Sequence, residues 1–167
     1  MKKNRATAII IRNGKLLLIH RQKPGRDYYV LPGGGVEFDE SFEETCIREV
    51  REETGLDVLA LQRVSRYITL EKEENYYLTK VTLAEPVLGG AEAKRQSPED
   101  SYTFVWVEAA QLESLNLLPR AALRICLENL PKYKVCFFRV VRFVRVVRGR
   151  RCKKLTTKYT LDCRPRS

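Results

Sequence analysis

The chain has 167 residues, with 31 Lys+Arg against 21 Asp+Glu and a formal net charge of +10, a length at which one hydrophobic core is the default expectation. The charge is unevenly placed: residues 1–130 hold 18 Lys+Arg and 20 Asp+Glu, or −2, and residues 131–167 hold the other 13 and 1, or +12. The basic balance therefore says nothing about the partner of the body. No run approaches the roughly 18 apolar residues of a membrane span, and Arg12-Asn13-Gly14 cuts off the apolar run Ala8-Ile9-Ile10-Ile11 too early for a signal peptide. The expectation is a single domain over residues 1–130, soluble and cytoplasmic, followed by a basic tail over residues 131–167.

Residues 6–12 and 15–21 are β-branched and leucine-rich runs joined by Asn13-Gly14, the short-range signature of a hairpin between antiparallel strands. Pro24-Gly25 opens a loop, residues 28–31 read as a short strand, and Pro32-Gly33-Gly34-Gly35 is expected to forbid regular structure. A helix then runs from Ser41 to Thr54. Ser41 with Glu44 three residues on makes a capping box, and Gly55 stands where a left-handed C-terminal residue is wanted.

Residues 58–70 and 75–84 read as longer strands linked by an acidic turn, Glu71-Lys72-Glu73-Glu74, and residues 89–100 as a polar loop. Residues 102–107 form another strand, residues 108–112 a helical turn, and residues 119–130 a helix with its proline at the first turn. The order β-β-β-α-β-β-β-α predicts an α/β fold, a mixed and largely antiparallel sheet covered by helices on both faces. The five cysteines show no metal-binding spacing. Cys46 and Cys126 fall on apolar helix faces and read as buried free thiols. His20 reads as a packed or edge histidine.

The helix carries the chemistry. Glu49, Glu52 and Glu53 stand at i, i+3 and i+4, so their carboxylates share an arc of about 100°. Cys46, Ile47, Val50 and Thr54 occupy the neighbouring arc and anchor the helix to the core. Like charges at this spacing destabilise a helix by a few tenths of a kcal/mol per pair, and near the C-terminal end they also oppose its dipole. Arg48 and Arg51 compensate in part, through the pairs Glu44-Arg48 and Arg48-Glu52. A hard divalent cation such as Mg²⁺, with Mn²⁺ as a substitute, would compensate fully. The glycine run upstream lets backbone approach a metal or phosphate without side-chain obstruction.

These residues resemble the signature of the Nudix hydrolases, G-x5-E-x7-R-E-U-x-E-E-x-G-U with U aliphatic, at Gly34, Glu40, Arg48, Glu49, Val50, Glu52, Glu53, Gly55 and Leu56. A chance match in a chain of this length is on the order of one in ten million from average residue frequencies. The resemblance implies the Nudix α/β/α sandwich and hydrolysis of a phosphoanhydride bond in a nucleoside diphosphate linked to a moiety X. It assigns Glu49, Glu52, Glu53 and the Gly33 carbonyl to the metal, Arg48 to orienting the glutamates, and Glu40 to supporting the metal shell. Glu49 is the first choice of general base, with Glu92 or Glu99 as alternatives. Arg21, Gly34 and Tyr28 are the candidate substrate contacts.

The proline that ADP-ribose members tend to carry past the signature is replaced by Glu71, and the tyrosine of the dinucleoside polyphosphate group matches Tyr76 or Tyr77 only out of place. The small body looks most like the branch that cleans oxidised nucleotides, converting (d)NTPs to monophosphates and pyrophosphate. Tyr28, Tyr76, Tyr77 and Trp106 are candidates to stack on a base, and core packing is the competing reading. The alternative function is a nucleotide- or RNA-binding regulator that keeps the fold without the activity. A homodimer is compatible with the sequence. For the tail, binding to nucleic acid or anionic lipid, an added element, and an appendage foreign to the enzyme compete. The abrupt change of composition favours the last.

Overall fold

The computed structural model describes residues 3–133; the tail beyond Tyr133 lies outside the described residues. Strands β1 (Lys3–Arg12) and β2 (Lys15–Lys23) are joined by Asn13 and Gly14. Both turn residues have positive φ, 52° and 76°, which gives the primed turn that Asn-Gly favours. The two strands pair only at Ile11↔Leu16 and Arg12↔Lys15. Beyond those pairs they diverge, and each builds its own leaf of the sheet.

On the first leaf, β1 pairs in parallel with β6 (Lys72–Val81), which pairs antiparallel with β5 (Val58–Ile68). On the second, β2 lies between β3 (Arg26–Val30) and β7 (Ser101–Glu108), and β3 pairs in parallel with the two-residue β8 (Leu117–Leu118). Helix α1 (Phe42–Thr54) packs on β1, a short helix α2 (Gly90–Arg95) follows β6, and α3 (Arg120–Tyr133) packs against β8. Alternation along β1 divides the core. Ala6, Ala8 and Ile10 join Cys46 and Val50 of α1, whereas Ile9 and Ile11 join Leu16, Leu18, Tyr76, Cys126 and Leu130 on the α3 side. The result is the mixed, largely antiparallel α/β/α arrangement expected from the sequence.

Three expectations are corrected. Gly33–Gly35 is a strand, β4, pairing with Arg5, Ala6 and Thr7 of β1. A strand needs backbone partners rather than side chains, and the backbones here lie so close that a Cβ on Gly33 would stand 2.3 Å from the Ala6 carbonyl oxygen. Glu73 and Glu74 belong to β6, and Glu74 is 1% exposed; a local charge run carries no information about the strand that covers it. Residues 90–95 of the polar loop are helical.

Candidate active site

Helix α1 begins and ends where its caps require. The Ser41 hydroxyl accepts from the Glu44 N–H, the Glu44 carboxylate accepts from the Ser41 N–H, and Gly55 closes the helix at φ 67°. Glu44 is thereby committed to the cap, and its pairing with Arg48 does not form. Arg48 turns instead to the acids on its other side. Its Nε donates to Glu40 at 2.7 Å and Nη2 to the other Glu40 oxygen at 2.9 Å. Nη1 donates to Glu49 at 2.8 Å and Glu52 at 3.3 Å, and Nη2 also reaches the Gly35 carbonyl at 3.1 Å. One guanidinium thus ties the loop before the helix to two of the three clustered glutamates, and charge-assisted bonds of this kind are among the stronger ones. It holds the Glu40 carboxyl down at about 2, with the Glu37 and Thr45 hydrogen bonds helping.

The three glutamates share a helix face but not an environment. Glu52 is half exposed. Glu49 is half-buried, and burial raises its pKa despite Arg48. Glu53 is 7% exposed and accepts the Gly33 N–H at 2.8 Å. Burial pushes its carboxyl up to about 8, with the charges of Glu92 and Glu49 adding to the effect. The chain thus buries carboxylates close together, which is costly unless a positive charge joins them.

The glycine strand lies directly on these acids. An ideal Cβ on Gly34 would stand 2.0 Å from Glu49 Oε1, so only glycine leaves the carboxylate its place. The Gly33 carbonyl accepts from Arg5. Among the described residues no three acidic, histidine or cysteine side chains converge into a chelate as they stand, because Arg48 holds two of the glutamates and Glu53 is turned to Gly33. The donor chemistry nonetheless fits a hard dication. All the donors are oxygens, the carboxylates are in excess, and the glycine strand leaves room where a side chain would intrude.

The remaining sequence candidates divide. Glu92, on α2, lies close enough to Glu53 to raise its pKa, and α2 is held there by the Gly89 N–H donating to the Glu53 carbonyl at 3.0 Å. The Glu99 N–H bonds Ser97 Oγ in the turn before β7. Arg21 lies over the Tyr102 ring at 4.5 Å, with Nε 3.6 Å from Asp100. Tyr28 is buried beneath Arg21 and Arg26. Tyr76 and Tyr77, offered as base-stacking candidates, are core residues at 1% and 0% exposure, since each faces one of the two helices. Trp106 carries Arg12 over its ring at 4.8 Å. His20 is a packed histidine on β2, between Tyr29 of β3 and Thr103 of β7, bonded to Asp27 at 2.7 Å and stacked on Tyr29. Cys46 and Cys126 are buried free thiols, both raised to about 12 by burial. Sequence reading missed Arg5 and Glu74: Arg5 precedes the run that reads as the first strand, Glu74 sits in what reads as an acidic turn, and neither carries a motif.

Fold and site together define a class: an α/β/α domain that sets an acidic helix face against a glycine strand. The NUDIX domain model matches residues 2–126, and the chain belongs to that family, whose hydrolases generally use divalent metal ions. An ADP-ribose pyrophosphatase of Methanocaldococcus jannaschii is 30% identical over 115 residues, 68% of this chain and 63% of the relative. The Bacillus subtilis protein YtkD, whose name carries a provisional 8-oxo-dGTP diphosphatase assignment, is 44% identical over 61 residues, 36% of this chain and 37% of its own. This chain thus spans less than two thirds of the length of the curated relatives it matches. A solved MutT structure, from the Aliivibrio salmonicida and Vibrio cholerae pair, superposes with a TM-score of 0.64 at 20% identity, covering 79% of this chain and 99% of its own. That likeness concerns the fold. No helix among the described residues is long and apolar enough to cross a membrane.

Proposed function

We propose that this chain is a Mg²⁺-dependent pyrophosphohydrolase that cuts a phosphoanhydride bond in a nucleoside diphosphate linked to X, with (d)NTPs of the oxidised type as its first substrate class. The observation that carries the reading is the Arg48 network, which gathers Glu40, Glu49 and Glu52 beside a buried Glu53. Burying so much like charge has no stabilising logic of its own. It has one if a cation is bound there.

In this reading Glu49, Glu52 and Glu53 would hold Mg²⁺, or Mn²⁺ in its place, with the Gly33 carbonyl, which accepts from Arg5, as a further oxygen donor. The ion, when bound, neutralises phosphate charge and lowers the pKa of the attacking water. Arg48 is the positioning residue, fixing Glu49 and Glu52 relative to the loop, and Glu40 fixes Arg48. Gly34 keeps the approach to Glu49 clear for a phosphate. Glu49 is the first choice of general base, half-buried and with its pKa raised by that burial. Glu92, on α2, is the alternative, because it lies near Glu53. Arg21 contacts phosphate by exchanging Asp100 for substrate, and Tyr28 supports it from below.

The relatives favour two substrate arms, an oxidised deoxynucleoside triphosphate and ADP-ribose. The test is phosphate, pyrophosphate and monophosphate release from a panel containing both, with and without Mg²⁺, repeated with Glu52→Gln. Metal-dependent cleavage of one substrate, lost in the variant, is the expected result. If the wild type cleaves nothing but binds RNA with a steep salt dependence, the regulator reading replaces this one.

A further inference from the structure

Arg48 and Arg21 are already engaged, the first by three glutamates and a carbonyl, the second by Asp100. The acidic site nevertheless has a further cation. Arg5, on β1, donates through Nη2 to the Gly33 carbonyl, and its charge is felt at both Glu49 and Glu53. Its side chain is 42% exposed, and among the described residues Nη1 has no hydrogen-bond partner.

Behind Arg5 stands Glu74. Its side chain is 2% exposed, and it is held by Thr7 Oγ1 at 3.1 Å, Lys72 Nζ at 3.0 Å and Arg5 Nε at 3.8 Å. A carboxylate buried to this degree costs several kcal/mol unless its partners are well placed. Here two of those partners are cations that remain 40% and 42% exposed. The trio therefore presents a net positive charge to solvent beside the glycine strand, on a base that is buried and hydrogen-bonded. A fixed anion behind a half-exposed guanidinium restricts the rotamers of the arginine and reduces the entropy lost when it binds.

We propose that Arg5 is a substrate-contacting residue, donating from its guanidinium to an anionic phosphate oxygen of the substrate at the acidic helix, and that buried Glu74 is the positioning residue that aims it. This rests on the pyrophosphohydrolase reading above. Arg5 lies next to the Gly33 carbonyl, so turning to phosphate would free that oxygen as a donor.

The test measures binding of inorganic pyrophosphate and of an α,β-methylene nucleoside triphosphate by calorimetry in Mg²⁺, together with kcat and KM, for wild type, Arg5→Met, Arg5→Lys and Glu74→Gln. Loss of one charge-assisted hydrogen bond predicts that Arg5→Met weakens both ligands and raises KM by about 10- to 100-fold, with melting temperature within a few degrees of wild type. Arg5→Lys keeps the charge and should retain binding within about tenfold of wild type. Glu74→Gln should raise KM by about 3- to 10-fold with kcat little changed, since the aim is loosened but the charge kept. Wild-type affinity in Arg5→Met overturns the proposal while leaving the hydrolase reading intact. Equal losses in the Lys and Met variants, matched by a fall in melting temperature, would show that Arg5 only ties down Gly33. A wild type that neither binds nor cleaves any phosphoanhydride overturns both.

Discussion

Replacing Glu53 by Gln removes one buried negative charge while keeping an oxygen able to accept the Gly33 N–H, now 2.8 Å away. In the wild type this carboxyl is raised from 4.5 to about 8, chiefly by burial. A group whose pKa is higher in the folded state holds a proton that the unfolded chain has already lost. Stability therefore falls as pH rises from about 4.5 to about 8 and is level above. At about 1.4 kcal/mol per pH unit the full difference is roughly 5 kcal/mol, and local relaxation around Arg5 and Gly33 should leave a few kcal/mol of it. For a domain of this size each kcal/mol moves the melting temperature by about 3–5 °C.

In EDTA, then, the wild type should melt progressively lower between pH 5 and pH 8, whereas E53Q should lack that part of the slope and melt roughly 5–15 °C above wild type at pH 8. Mg²⁺ should raise the wild-type melting temperature at pH 8 more than at pH 5, where protonation competes with the ion, and should do little for E53Q. The assay is differential scanning fluorimetry across pH with and without the metal. An E53Q variant no more stable than wild type at pH 8 in EDTA would refute the claim that Glu53 is a buried, uncompensated carboxylate.

Other perturbations test neighbouring parts of the site. Arg48→Lys keeps the charge but cannot span Glu40, Glu49, Glu52 and the Gly35 carbonyl together, so activity should fall by about 100-fold or more with a modest loss of stability; steady-state kinetics beside a melting curve would show it. Gly34→Ala would push a methyl group into the Glu49 carboxylate and should lower Mg²⁺ affinity, read by titration calorimetry, more than it lowers the melting temperature. Gly33→Ala combines a φ of 143° with a Cβ 2.3 Å from the Ala6 carbonyl oxygen, and should cost about 2–4 kcal/mol in chemical denaturation. Glu40, held at about 2 by Arg48, stabilises the fold above pH 4.5 and loses that contribution as pH falls toward 2. Glu40→Gln should therefore melt several degrees below wild type at pH 7, the gap closing in acid.

Much of α1 was legible because the reasons for it are local. Ser41, Glu44 and Gly55 cap it through bonds spanning three or four residues, and the i, i+3, i+4 spacing of the acids follows from helical geometry alone. The Asn13-Gly14 turn was legible for the same reason: its backbone demands act on two residues. The exit of β1 from that hairpin was not. Its pairing with β6, more than sixty residues away in sequence, depends on which strand edge is free once the leaves have separated, and no local period records that.

The chain's own order of residues determined an acidic helix, its ends, a glycine run before it and the family resemblance that joins them. Tertiary structure alone decided what each acid experiences. Glu49, Glu52 and Glu53 are the same residue type on one helix face, yet only Glu53 is sealed against Gly33, because β4 lies where β1 can bind it. Glu74 reads as a turn acid and is instead enclosed by Thr7, Lys72 and Arg5. Burial, and with it the energy of every charge in the site, is a property of what packs across from a residue. That partner is set by long-range strand pairing rather than by neighbours in the chain.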